Sequence, residues 1–186
     1  GPWNRYNTRT IPDLSTWNGH GRRRTTATIQ FKGMKEYEMR LSQLAAATPE
    51  VAGKIIYAGA GVVADAIRES IKGLPVVRGV TATEQDPIDG ITITQKKGLL
   101  EGLGISPMQA TGGYYNVKIG FDGYNQTRTK KFPKGQPNQM IARAVESGTS
   151  LRKKHPFVRP AVKSSRKAAE QAMIETADKE IKKIMR

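Results

Sequence analysis

The chain of 186 residues has room for one compact core with polar appendages; it is 37% hydrophobic and carries a net charge of +15, a balance that points to nucleic acid, an anionic surface or an acidic partner. It has no cysteine, which excludes disulfides and thiolate metal sites, and its two histidines, His20 and His155, are too few for a conventional zinc cluster. No apolar stretch approaches the roughly 20 residues that span a bilayer, and the N-terminus carries Arg, Asn and Asp instead of a signal-peptide core, so the sequence predicts a soluble, unsecreted protein without cofactor or metal, in an intracellular or cysteine-indifferent setting.

Residues 1–25 mix Asn, Thr, Arg, Pro and Gly, carry a net +4, and show neither helical nor strand periodicity. They read as an extended N-terminal arm, either a disordered tail or a segment that orders on a neighbouring subunit, with Trp3 and Trp17 as its apolar anchors. Residues 26–186 read as a single domain. Thr26 to Phe31 alternates as a short strand. Met34, Tyr37, Leu41 and Leu44 then recur at spacings of three and four, which predicts one face of a helix.

Thr48 as N-cap and Pro49 at the first helical position start a long helix that runs to about Lys72, where Gly73 and Leu74-Pro75 stop it. Its predicted apolar stripe is Val51, Ile55, Val62, Ala66 and Ile67, while Gly59 and Gly61 point to close packing or a slight kink. Residues 76–113 read as strand and loop: "GITIT" from 90 to 94 alternates, and "GLLEGLGIS" is a flexible glycine-broken loop. "YYNVKIGF" is the clearest strand, with Tyr115, Val117, Ile119 and Phe121 on one face, and Asp122-Gly123 turns the chain into a basic loop that ends near Gln136. A proline-started helix from Pro137 to about Glu146 follows, and the chain ends in a charged helix from about Pro160 with a stripe through Val162, Ala169, Ala172, Met173, Ala177, Ile181 and Ile184.

The chemistry on offer is concentrated in "AVESGTSLRKKHPFVRPAV", residues 144–162. Ser147, Thr149, Ser150, His155 and Glu146 supply the types a nucleophilic enzyme needs, but without the G-x-S-x-G elbow, and Gly148 reads as a helix stop. Asp65, Glu84, Asp86, Asp89 and Glu101 show no metal-ligand spacing. Gly98, Gly102 and Gly104 lack the Lys-Ser/Thr ending of a P-loop. These absences predict no enzymatic activity.

Gln126 to Lys167 holds twelve cations against the single acid Glu146, a net +11, with Arg128, Lys130, Lys131, Lys134, Arg152, Lys153 and Lys154 as the candidate basic surface. Such a segment fits non-specific nucleic-acid binding or an acidic protein neighbour, although only Phe132 and Phe157 are there to stack on bases. In "HPFVRP", Pro156 and Pro160 stiffen the backbone, Phe157 is an apolar anchor and Arg159 a planar charged fork, which suits a rigid turn that fixes the last helix. His155 reads as a capping or surface residue.

Glu146-x-Gly148-Thr149, a short basic spacer, and His155-Pro156-Phe157-x-Arg159-Pro160-Ala161 leading into a charged helix resemble the signature of the small tail-completion and head–tail joining (neck) proteins of long-tailed bacteriophages, of the lambdoid siphophage type. The resemblance covers residues 30–185, and Gly98 and Leu100 fall where such proteins carry a Thr-Gly-x-Leu element, with Lys97 in place of the threonine. It implies an α+β subunit, long helices packed on a small antiparallel sheet, that assembles as a homo-oligomeric, sixfold ring in the tail or neck of the virion after synthesis in the host cytoplasm. It also implies tail-tube, tail-terminator or connector proteins as partners, contact with DNA in the channel, no membrane and no catalysis. The interface residues it marks are Glu146, Gly148, Thr149, His155, Pro156, Phe157, Arg159 and Pro160; Trp3 and Trp17, in the arm outside the resemblance, are the further interface candidates the sequence offers.

Overall fold

The computed structural model describes residues 9–10, 27–32, 36–43, 48–78 and 82–184. The class is α+β: strands β1 (Arg9–Thr10), β2 (Ala27–Lys32) and β3 (Glu36–Ser42), helices α1 (Pro49–Lys72) and α2 (Ile93–Gly102), strands β4 (Leu103–Ile105), β5 (Gln109–Thr111) and β6 (Tyr114–Phe121), and helices α3 (Asn138–Ser147) and α4 (Val158–Ile184). The chain forms two compact units. Of the described residues, one unit holds those up to 63, 105–119 and those from 165, and the other holds 64–104 and 120–164, so α1, β4, β6 and α4 each contribute to both. Of the arm, only the two-residue β1 is described; Trp3 and Trp17 lie outside the described residues.

The first unit is built on an antiparallel sheet. β1 pairs β2, and β2 pairs β3 in a six-residue register from Ala27 opposite Leu41 to Lys32 opposite Glu36. β6 follows β3 in the strand order, and β5 joins β6 through Gly112-Gly113, whose φ values of 60° and 81° make the two-residue hairpin turn that side chains resist. Where a helix was expected through Met34, Tyr37, Leu41 and Leu44, Tyr37 and Leu41 lie instead in β3, and Met34 and Leu44 lie outside the described residues. Tyr37, Met39 and Leu41 also alternate at period two, and cross-strand pairing with β2 selects that period over the helical one.

Helix α1 begins as the sequence predicts, with the Thr48 hydroxyl accepting from the Val51 amide at 3.2 Å. Its buried face is Ala52, Ile55, Ile56, Ala60, Val63, Ile67 and Ile71, whereas Val51, Val62 and Ala66 are half-buried, so the expected stripe is partly out of phase. In the first unit the α4 side chains Ser165, Ala169, Met173, Ala177 and Glu180 repeat at three and four residues and are buried. The Glu180 carboxylate meets Lys183 at 3.2 Å and Lys54 of α1 at 3.5 Å. These two ammonium groups, the Lys183 hydrogen bond foremost, hold its pKa below the usual carboxylate value.

The two α1 glycines have different reasons to be there. A β-carbon at Gly59 would fall 2.6 Å from the Met173 sulfur and 3.0 Å from the Met39 methyl, so α4 and β3 both pack on bare backbone at this point. One at Gly61 would meet nothing within 4 Å. Gly61→Ala is therefore expected to stabilise the protein by up to about 1 kcal/mol through helix propensity, and Gly59→Ala to give no such gain or a net loss. Urea denaturation of the two variants checks this; equal midpoint shifts would contradict the packing difference.

Candidate functional site

Everything the 144–162 stretch does locally happens in the second unit, where α3 ends and α4 begins. An α-helix starts with amides that have no partner inside it. Here the Glu146 side chain, on the last turn of α3 and only 5% exposed, reaches them. One carboxylate oxygen accepts from the Phe157 and Val158 amides, both at 2.8 Å, and the other from the Arg159 amide at 3.1 Å. Pro160 follows with no N–H to satisfy. A negative group at the positive end of α4 is also favoured by the helix dipole.

Phe157, 1% exposed, is the apolar half of the same junction and packs against Phe121 with ring centroids 6.0 Å apart at 58°. It is buried and so is not the base-stacking ring the sequence allowed. α4 starts at Val158, two residues before the expected Pro160, because Glu146 caps the preceding amides.

The connection between the helices is equally fixed. Gly148 ends α3 at φ 74°, donating to the Ala144 carbonyl at 2.8 Å, and a β-carbon there would fall 2.9 Å from that of Lys154. Thr149 and Arg152 exchange both backbone hydrogen bonds around a tight turn. The amide of Ile88 donates to Leu151 and that of Lys153 to Ile88, tying the turn to the 86–91 segment, and the His155 amide donates to Val145. Of the marked residues, Glu146 and Phe157 are buried, Gly148 and His155 half-buried, and Thr149, Pro156, Arg159 and Pro160 exposed.

Arg152 was expected on the basic surface, but it is half-buried: its guanidinium donates to the Gly90 carbonyl and, at 3.3 Å, to the Gln95 side chain, and burial lowers its pKa. Lys153 and Lys154 are exposed, with Lys153 3.8 Å from Asp89. His155 lies 2.5 Å from Asp89, and that hydrogen bond, with Lys153 nearby, lowers the Asp89 pKa. Among the described residues no group of His, Asp and Glu could hold a metal ion, and no helix is long and apolar enough to cross a membrane.

Residues 93–102, expected as strand and flexible loop, form helix α2. The signal was present as Thr92-x-x-Gln95, a capping box in which each side chain accepts from the other's amide at 3.1 Å. The helix then lies against an amide network: Asn125 donates to the Gln95 carbonyl at 3.3 Å and to the Asn138 side chain at 3.1 Å, and Asn138 donates to the Asp122 carbonyl at 2.9 Å. Gly98 and Gly102 face this network so closely that a β-carbon would fall 2.0 Å from the Asn125 amide nitrogen and 2.5 Å from the Asp122 oxygen. Thus Gly98, Gly102, Asn125 and Asn138 are packing residues that pattern reading missed.

Asn125 also roots the basic loop. Tyr124 bridges Pro137, the Asn125 amide donates to Gln136 at 2.7 Å, the Gln136 amide to Thr127 at 2.9 Å, and Thr129 and Phe132 bond each other both ways at 3.1 Å. Arg128, Lys130, Lys131 and Lys134 on this hairpin are all exposed.

No protein-family model, no curated protein and no solved structure matches this chain.

Glu146→Ala is expected to lower the unfolding free energy by about 2–4 kcal/mol, because three amides lose a charged acceptor, and Glu146→Gln by less because one oxygen is kept. Urea titration followed by circular dichroism measures both; an alanine variant as stable as the parent would refute the capping role. The Asp89–His155 pair predicts an acid-limb effect. A carboxyl whose folded pKa lies below its ordinary 3.8 stabilises the fold above 3.8 and loses that contribution as pH falls through the lower folded value. The stability advantage of the parent over Asp89→Asn should accordingly be present at pH 6 and close below pH 3.8; an advantage unchanged at pH 2 would contradict it.

Proposed function

We propose that this chain is a structural protein of a bacteriophage virion, one that completes the tail or joins head to tail as a homo-oligomeric ring in the neck. The observation that carries the reading is the Glu146 junction. The residues that resemble the neck-protein signature, Glu146-x-Gly148 and His155-Pro156-Phe157-x-Arg159-Pro160, are the ones that cap α4, turn the chain and bury its anchor. A subunit that passes force between neighbours needs helices clamped at their ends, and a carboxylate on three amides with a buried ring beside it is such a clamp.

The same geometry argues against acid–base chemistry at this place. Both oxygens of Glu146 are engaged by backbone amides, which leaves neither to take a proton from a substrate. Pro156, Arg159 and Pro160 are exposed next to the clamp, which leaves a rigid, partly charged surface for a sibling subunit, a tail-tube, a tail-terminator or a connector protein.

Light scattering and negative-stain microscopy of the purified protein are expected to give a closed ring, sixfold by the resemblance, and mass spectrometry of purified particles is expected to find the chain. A strict monomer that is absent from particles overturns the proposal.

A further inference from the structure

The hairpin from Tyr124 to Pro137 has no part in the Glu146 junction, yet it holds the densest unpaired charge described in this protein. From Gly123 to Val145 there is no Asp or Glu. Arg128, Lys130, Lys131 and Lys134 are exposed, and none of them forms an ion pair among the described residues. Elsewhere in the second unit some cations are paired, Arg68 with Asp65 at 2.7 Å, Lys72 with Glu69 at 2.8 Å and Lys153 near Asp89, whereas the exposed Lys97, Lys154 and Lys163 lie far apart along the chain.

A solvated charged loop would have no reason to be built rigidly, but this one is. Its base is locked by the buried Asn125 in the amide network, and its tip by the reciprocal Thr129–Phe132 hydrogen bonds with the Thr129 hydroxyl accepting from the Phe132 amide at 3.0 Å. Gly135, at φ 124°, brings the returning strand so close that a β-carbon would fall 2.3 Å from the Asn125 carbonyl. Pre-ordering removes part of the entropy cost of holding several charges in one arrangement.

Two aromatic rings stand with these charges. Tyr124 is 74% exposed at the base of the hairpin, and Lys131 lies 5.7 Å from the centre of the half-buried Phe132 ring. Cations along a backbone track beside an exposed ring are the combination that binds single-stranded nucleic acid, whereas an acidic protein surface needs only the cations.

We propose that the 124–137 hairpin is a nucleic-acid contact, in which Arg128, Lys130, Lys131 and Lys134 hold phosphates and Tyr124 stacks on an unpaired base. The proposal goes beyond the assembly role and is read on the isolated chain, so failure of ring formation leaves it standing.

The experiment measures affinity of the full chain for single-stranded DNA of about 20 nucleotides, and for polyglutamate, across a salt series. The parent should bind DNA with a steep salt dependence. The variant carrying R128Q, K130Q, K131Q and K134Q should lose about 3 from the slope of log affinity against log salt, equivalent to about 50-fold between about 50 and 200 mM. K153Q with K154Q should keep the parent slope. Y124A should weaken DNA about fivefold or more and leave polyglutamate binding unchanged. Melting curves of all variants should overlay the parent's, since only exposed side chains change. A quadruple variant with the parent slope, an equal loss in K153Q/K154Q, a full-affinity Y124A, or tighter binding of polyglutamate than DNA through the same four cations each overturns the proposal, the last in favour of an acidic protein.

Discussion

The second unit depends on a carboxylate being withdrawn from water and given back an equivalent environment. Glu146 is 5% exposed, and an isolated buried carboxylate would be costly. Three backbone amides at 2.8–3.1 Å replace its hydration, and they are amides that α4 would otherwise leave without partners. Each deficit cancels the other, which is why neither the acid nor the start of the helix can be moved independently. Gly148 then has to reverse the chain in the space left, and the turn it permits returns Arg152 to the Gly90 carbonyl and Gln95. Carboxylate, glycine and guanidinium are one connected arrangement.

Helix α2 shows a second way of holding an element without much apolar burial. Among its residues only Gln95 and Leu99 are buried, too little hydrophobic area to fix ten residues. The capping box satisfies its first turn, and neutral amides of Asn125 and Asn138 engage its backbone and the neighbouring Asp122 carbonyl. Amides serve better than charges here because they satisfy buried backbone groups without the desolvation of an ion. Gly98 and Gly102 supply the close approach that the network requires.

The parts legible in the sequence were those governed by local rules. The long α1 follows from Thr48-Pro49 and Gly73, and β6 from the alternation of Tyr115, Val117, Ile119 and Phe121. The segment around Tyr37 satisfied two periodicities at once, and only its long-range pairing with β2 decides between them. Glycines misled for a related reason: Gly98 and Gly102 read as loop-breakers when they are contacts, and Gly59 and Gly61 read alike although only the first is against Met173. Partners distant in sequence decide these cases, as Asp89 does for His155, 66 residues away.

Charge shows the same limit more sharply. Counted along the chain, residues 126–167 are one basic block of net +11. In the fold they separate by what each cation faces. Arg152 is turned toward a carbonyl and an amide, Lys153 lies near Asp89, and the four cations of the hairpin meet no carboxylate among the described residues. A polyanion responds to the uncompensated charge it can reach, so the arginine that strengthens the count contributes to the fold, while the four hairpin cations stay exposed to solvent. The segment is thus two devices that share a composition: a clamp made by enclosing charge, and a hairpin made by leaving it open.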